Sequence, residues 1–289
     1  MAGNNPAKTL MKQSPPNPSL LPLEDNHLDI IGKARRGWQC TDQELVSRSG
    51  ITLDELERVE AGEILPEVLE RLAPALQLSS PALLASAQKS WRPAPVQIGN
   101  FKTFTTPFDD MMVNSYLAWD SGTNEAVVFD SGTDASGLLE FAASAGLRIR
   151  LILITHTHGD HIFDLDRLME KTGAPAFVGD QEPELAGTQA FTAGKIFRVG
   201  NLTIGTRLTW GHDDGGITYV LDGLSRRVAV VGDAIFSGSM GGGKVSWVDA
   251  LQTTREEILS LPGDTVLAPG HGPLTTVEEE KIHNPFFVD

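Results

Sequence analysis

The stretch "LILITHTHGDHIFDLDRL", residues 151–168, sets a run of Leu and Ile directly against three histidines and an aspartate at positions 156–161. The whole chain of 289 residues holds only seven histidines. "LILIT" reads as a buried strand, and α/β folds place ligands at the carboxyl ends of such strands. His156 and His158 stand two apart, so in extended chain they point the same way. Gly159 permits a sharp turn, after which Asp160 and His161 open a helix. These four groups converge with little around them to satisfy their polar atoms out of water. A bound divalent cation removes that problem.

Further donors lie at other strand ends. His212 sits in "TWGHDDGG", Asp233 closes the apolar run "RVAVVGD", and His271 lies in "LAPGHG". With the first cluster they make five histidines and two aspartates, enough for two metal ions sharing one carboxylate. His27 is assigned to a tail and His283 to structure. Tyr219, Trp247 and Phe236 stand near these ligands in sequence and read as core side chains.

"THTHGDH", "WGH", "GDAIF" and "APGHG", in this order, resemble the metallo-β-lactamase superfamily, and within it the glyoxalase-II-like (hydroxyacylglutathione hydrolase-like) branch. "NSYLAWDSGTNEAVVFDSG" and "PGHGPLTTVEEEKIHNPFF" extend the likeness over residues 99–289. The resemblance implies an α/β fold of four layers, an αββα sandwich, with the metals between sheet edges. It implies that His156, His158 and His212 hold one metal, that Asp160, His161 and His271 hold the other, and that Asp233 bridges. Asp130, in "FDSG", would support the metal loop from behind.

The cofactors so implied are two divalent ions, zinc first, with iron or manganese as alternatives. The expected reaction is hydrolysis: water ionised at the cations attacks the carbonyl of a thioester, ester or lactone. Asp160 and Asp233 are the expected catalytic side chains, orienting that water and relaying its proton. Two alternatives stand beside this reading. One is a mononuclear iron sulfur dioxygenase on the same fold, using His156, His212 and Asp233. The other is a DNA-binding regulator that senses a metabolite. Departures from the family pattern leave the substrate open: "WGHD" adds Asp213 and Asp214 beside His212, and "GGGKVSWVD" follows "GDAIFSGSM".

A net charge of −15 disfavours non-specific contact with nucleic acid or anionic membrane and favours cations. No apolar run approaches the roughly 20 residues that span a bilayer, and the N-terminus lacks a signal-peptide core. The single cysteine, Cys40, excludes an internal disulfide and fits a reducing, cytoplasmic setting. A small-molecule substrate is the expected partner, and no membrane.

Residues 1–27 read as a disordered or extended tail, 28–91 as a small all-α domain, 92–98 as a linker, and 99–289 as the hydrolase domain. In the helical part Thr41 and Thr52 are capping residues, Glu55 completes a capping box, and Pro66 and Pro81 sit where helices begin. "RRGW", "ELVSRSGI" and "LERVEAG" resemble the helix-turn-helix domain of Cro and lambda repressor, over residues 28–86. That likeness would put Thr52–Glu60 into a DNA groove. Asp54, Glu55, Glu57 and Glu60 would there face phosphates with Arg58 as the one base, which argues against nucleic acid as a partner. Packing on the hydrolase, forming a homodimer, or shaping the entrance to the site are the roles left to it.

Overall fold

The structure is a computed structural model and describes residues 21–287. Five helices come first: α1 (His27–Gly37), α2 (Asp42–Ser49), α3 (Leu53–Glu60), α4 (Pro66–Ala75) and α5 (Ser80–Ala87). Thr41 and Thr52 cap α2 and α3, and in each a glutamate three residues on closes the box: Glu44 and Glu55. Pro74 lies one residue from the end of α4, where its missing N–H costs little. The Glu70 carbonyl it would have served accepts instead from Ser80 Oγ at 3.0 Å.

Two six-stranded sheets follow. The first has the order β1 (Phe101–Phe108), β2 (Met111–Trp119), β3 (Glu125–Phe129), β4 (Arg148–Leu153), β5 (Ala176–Gly179), β6 (Thr188–Phe191). It is antiparallel through β3 and parallel beyond. The second runs β12 (Thr275–Thr276), β11 (Val266–Pro269), β10 (Val228–Gly232), β9 (Ile217–Asp222), β8 (Leu202–Leu208), β7 (Ile196–Val199). Only its β10–β11 pair is parallel. The remaining helices are α6 (Ser136–Ser144), α7 (Gly159–Ile162), α8 (Leu165–Thr172), α9 (Trp247–Thr253) and α10 (Val277–His283). A π-helical turn, Thr254–Ile258, continues α9.

The period of two in the strands decides the layers. In β10, Val228 and Val230 enter the core between the sheets, while Ala229 and Val231 face outward. In β4 and the residue after it, Leu151 and Leu153 face that shared core, and Ile152 and Ile154 face a separate cluster with Leu138 of α6 and Leu168 of α8. The stretches Val228–Val231 and Leu151–Ile154 are buried on both sides, which is why they are apolar throughout, whereas the first half of β4 carries the exposed Arg148 and Arg150.

The outer face of the second sheet is covered by the N-terminal helices together with α9, α10 and the chain end. Ile30, Leu69, Leu72 and Leu83 belong to one hydrophobic cluster with Val231, Leu267, Trp247 and Phe286. Trp38 meets Trp247 edge to face at 6.0 Å, and the Ser79 N–H donates to the Pro285 carbonyl at 2.8 Å. The helical segment and the sandwich therefore share a core.

Several expectations need correction. The tail assignment falls, for residues 1–20, outside the described residues. Residues 21–26 form no helix or strand, yet Leu21 is buried. His27, placed in the tail from sequence, is the first residue of α1 and is buried. The helix that Asp160 and His161 were expected to open is two, α7 and α8, because the Asp164 N–H donates to Ser131 Oγ at 3.1 Å and its carboxylate takes the Ala135 N–H at 2.7 Å. Among the described residues no helix is long and apolar enough to cross a membrane.

Candidate metal centre

Four strand ends deliver the site. His156 and His158 follow β4, Asp160 and His161 lie in α7, His212 follows β8, Asp233 follows β10 and His271 follows β11. Six of these seven are buried, and His158 is half-buried. One donor atom from each of His156, His158, His212 and Asp233 falls within 4.8 Å of the others, and the same holds for Asp160, His161 and His271. All seven residues predicted as metal ligands are thus brought together, in two adjacent groups.

Asp233 stands between the groups. Its Oδ2 lies 3.4 Å from His212 Nε2, 3.9 Å from His156 Nε2 and 3.5 Å from His271 Nε2. Its Oδ1 lies 3.3 Å from His161 Nε2. Asp160 Oδ2 is 3.2 Å from His271 Nε2 and 3.4 Å from His161 Nε2. The close approach depends on Gly270, where a Cβ would stand 2.2 Å from Asp233 Oδ1 and 2.6 Å from the His161 ring.

The outward nitrogen of every imidazole has an acceptor behind it. His161 Nδ1 is 2.9 Å from Asp130 Oδ2, His271 Nδ1 2.7 Å from the Met112 carbonyl, and His212 Nδ1 3.1 Å from the Gly242 carbonyl. His156 Nδ1 is 3.0 Å from Thr155 Oγ1, and His158 Nε2 is 3.1 Å from Asp213 Oδ2. An imidazole that donates outward presents a lone pair inward, so five lone pairs and two carboxylates converge. His156 Nε2 and His158 Nδ1 face each other at 2.9 Å, an arrangement a shared cation relieves. His161 Nε2 and Asp233 Oδ1 are buried without a hydrogen-bond partner among the described residues. The donor set fits two divalent cations.

Electrostatics of the metal-free cluster agree. Burial works against a charged His161 and a charged His271, but Asp233, joined by Asp130 at His161 and by Asp160 at His271, outweighs it and pushes them up to about 10 and about 11. Burial would raise Asp233, yet His271 and His161 hold it well below the usual carboxylate range. His156, His158 and His212 are lowered, by burial first. The site keeps its carboxylates ionised and calls for positive charge, which protons supply when metal does not.

Asp130 links the two halves. Its Oδ2 accepts from Thr155 Oγ1 at 2.8 Å as well as facing His161, and Thr155 Oγ1 in turn faces His156. Its Oδ1 takes the Thr155 N–H at 2.7 Å. One carboxylate therefore orients an imidazole in each group. Asp130→Ala is expected to weaken binding of both metals by about 10–100-fold, read by competition with a chromogenic chelator.

Two supporting side chains escaped sequence reading. Asp213 was noted only as extra charge beside His212, but its carboxylate holds His158, whereas Asp214 is exposed. Glu182, just past β5, is buried and accepts from Thr157 N–H at 2.9 Å, Thr157 Oγ1 at 2.7 Å and Gly215 N–H at 3.0 Å. It ties the loops of His156–His158 and His212 together. Its place at a strand end was the one available signal. Of the aromatic residues, Tyr219 and Trp247 are core, Phe236 is buried against His271 with 5.4 Å between ring centroids, and His283 stacks on Trp91.

Two sheets back to back, with metal ligands at adjoining strand ends, define a metal-dependent enzyme of the α/β sandwich class. The profile of the Metallo-beta-lactamase superfamily matches residues 108–271. The chain belongs to that superfamily, and its relatives include proteins named as metallo-hydrolases. It is 27% identical over 205 residues to a probable metallo-hydrolase, YqgX, of Bacillus subtilis, covering 62% of this chain and 94% of that protein. It is 26% identical over 204 residues to the hydroxyacylglutathione hydrolase GloC of Haemophilus influenzae, covering 62% and 95%. Among solved structures, ETHE1 from Myxococcus xanthus superposes with a TM-score of 0.56 at 26% identity, covering 65% of this chain and 83% of that one.

Proposed function

We propose that the chain is a dinuclear, glyoxalase-II-like hydrolase, most simply a zinc enzyme, that cleaves a thioester or a related ester or lactone. The observation that carries this reading is the pair of ligand groups joined through Asp233. A mononuclear dioxygenase would use His156, His212 and Asp233 and otherwise look alike, so metal content separates the two readings. The likeness to GloC supports the thioester as the bond attacked.

Two bound cations supply an acidified water and a Lewis acid for the carbonyl oxygen. The chain's own residues do the remainder. Asp233 sets the spacing of the two groups, and Thr155 and Asp130 fix the tautomers of His156 and His161. Asp160 holds its Oδ2 toward His271 and His161; we assign its Oδ1 to take the proton of the attacking water and pass it to the leaving group. No Ser–His or Cys–His pair is required.

The N-terminal helices serve as an accessory module in this reading. Arg58 is paired with Glu63, Arg35 with Asp42 and Glu60, Arg71 with Glu55 and Arg48 with Glu44, so these four bases already face carboxylates.

The test is element counting by X-ray fluorescence on pure protein, followed by a panel of thioesters, esters and lactones. Two metals per chain with hydrolysis and no oxygen uptake are expected. One iron with oxygen consumption would replace the hydrolase with the dioxygenase, and salt-sensitive binding to duplex DNA would revive the regulator.

A further inference from the structure

We propose that the segment Leu21–Lys33, which precedes the matched superfamily region, is the substrate-selecting wall of the metal cleft, and that Glu24 on it recognises a positively charged group of the substrate. This rests on the hydrolase reading above and adds the chemical class of its substrate.

A cleft of about 500 Å³ opens onto His212, Asp233 and His271. Residues 21–25, Asp29 and Lys33 line it together with Asp110, Met112, Phe236 and Lys244. The segment lies close: Glu24 N is 3.3 Å from where a Cβ on Gly272 would stand, one residue past His271. A half-buried clamp holds it there. Lys33 Nζ donates to the Met240 carbonyl at 2.7 Å and pairs with Asp25, which also accepts from Ser239 Oγ. The same ammonium sits 5.1 Å from the Phe236 ring centroid. Arg92 ties down the other end through the Leu21 carbonyl.

Charge in the cleft is then unequal. Asp25 is neutralised by Lys33, but Glu24 has no hydrogen-bond or ion-pair partner among the described residues. Asp29 and Asp110 add negative charge to the lining, against Lys244 alone. Glu24 lines the same cleft as His271, with its backbone N beside Gly272, one residue past that ligand. Partial burial raises its carboxyl above the ordinary value, and His271 opposes that shift. Glu24 would attract an ammonium there and repel a carboxylate. The substrate class that fits is a compact thioester or ester carrying an amine, and an anionic thioester fits poorly.

The experiment uses the full chain loaded with metal and three thioesters of N-acetylcysteamine: β-alanyl (ammonium), butyryl (neutral) and succinyl (carboxylate). Binding of the matching amides is followed by calorimetry. Wild-type kcat/KM should fall in that order, by about tenfold between the ends, one ion pair's worth. Glu24→Gln should bring the ammonium-to-neutral ratio to within about twofold, through KM, with metal content kept. Lys33 is a positioning residue: Lys33→Met should erode the same preference through KM, and Lys33→Arg should restore it. If the succinyl or butyryl thioester is preferred, or Glu24→Gln leaves the ratio unchanged, the inference fails while the hydrolase reading stands. If no thioester is cleaved yet the amides bind in the order of charge and Glu24→Gln abolishes it, the recognition holds and the hydrolase reading fails. No cleavage and no charge preference in binding overturns both.

Discussion

Asp233→Asn should reduce kcat/KM by at least about 10³-fold and lower the metal content from two ions per chain to one or none. The reason lies in how many partners one carboxylate serves. Oδ1 faces His161 at 3.3 Å, while Oδ2 faces His212, His271 and His156 at 3.4, 3.5 and 3.9 Å. An amide keeps one of these oxygens and replaces the other by a donor without negative charge. Both ligand groups lose the shared negative charge, and whichever way the amide turns one of them also loses its oxygen donor. Other ligands are less exposed to this logic: His158 is half-buried, and removing it leaves His156, His212 and Asp233 in place. Metal counting and thioester turnover on the same preparation check the prediction. Two ions bound with activity inside tenfold of wild type would mean that Asp233 does not join the groups.

How much of this was legible in sequence depends on the range of the contact. The ligands were legible because each follows an apolar run: "LILIT" before His156, "RVAVVG" before Asp233, "TVLAPG" before His271. The residues behind them were less so. Asp130 was visible as a strand-end carboxylate, but its double attachment to Thr155 and His161 needs two loops meeting in space. Glu182 lies in "GDQEPE", where nothing local separates a buried carboxylate from a solvated one. Strand β1 was overlooked because "FKTFTTPF" is an edge strand, half exposed and carrying Lys102 and Pro107. Strand β6, "TQAF", is likewise an edge strand, and short. The stretch before α1 was read as tail from its Pro and Asn content. What places residues 21–26 is tertiary: Lys33 against Asp25 and Arg92 against Leu21, contacts with no local period to announce them.

Stripping the metals should destabilise the fold and make its stability depend on pH with a definite sign. Ions present at about 1,000 times their dissociation constant stabilise by about 4 kcal/mol per site. For a chain of this size that corresponds to a fall in Tm of about 10 °C or more on chelation. In the stripped protein the charge that Asp233 requires comes from protons on His161 and His271, raised to about 10 and about 11 from the ordinary 6.5. A raised folded pKa means that the folded state holds protons the unfolded chain has released. That contribution is complete below pH 6.5 and is lost as pH rises through 10 and 11. In the loaded protein the same nitrogens face metal, so protons compete with metal and the advantage of loading grows with pH. The gap in Tm between loaded and chelated protein should therefore widen from pH 6 to pH 9. Calorimetric titration with zinc at pH 7.5, in two buffers of different ionisation enthalpy, should show net proton release approaching two per chain. A gap that stays constant with pH, or binding without proton release, would show that these two imidazoles are not the groups the metals displace protons from.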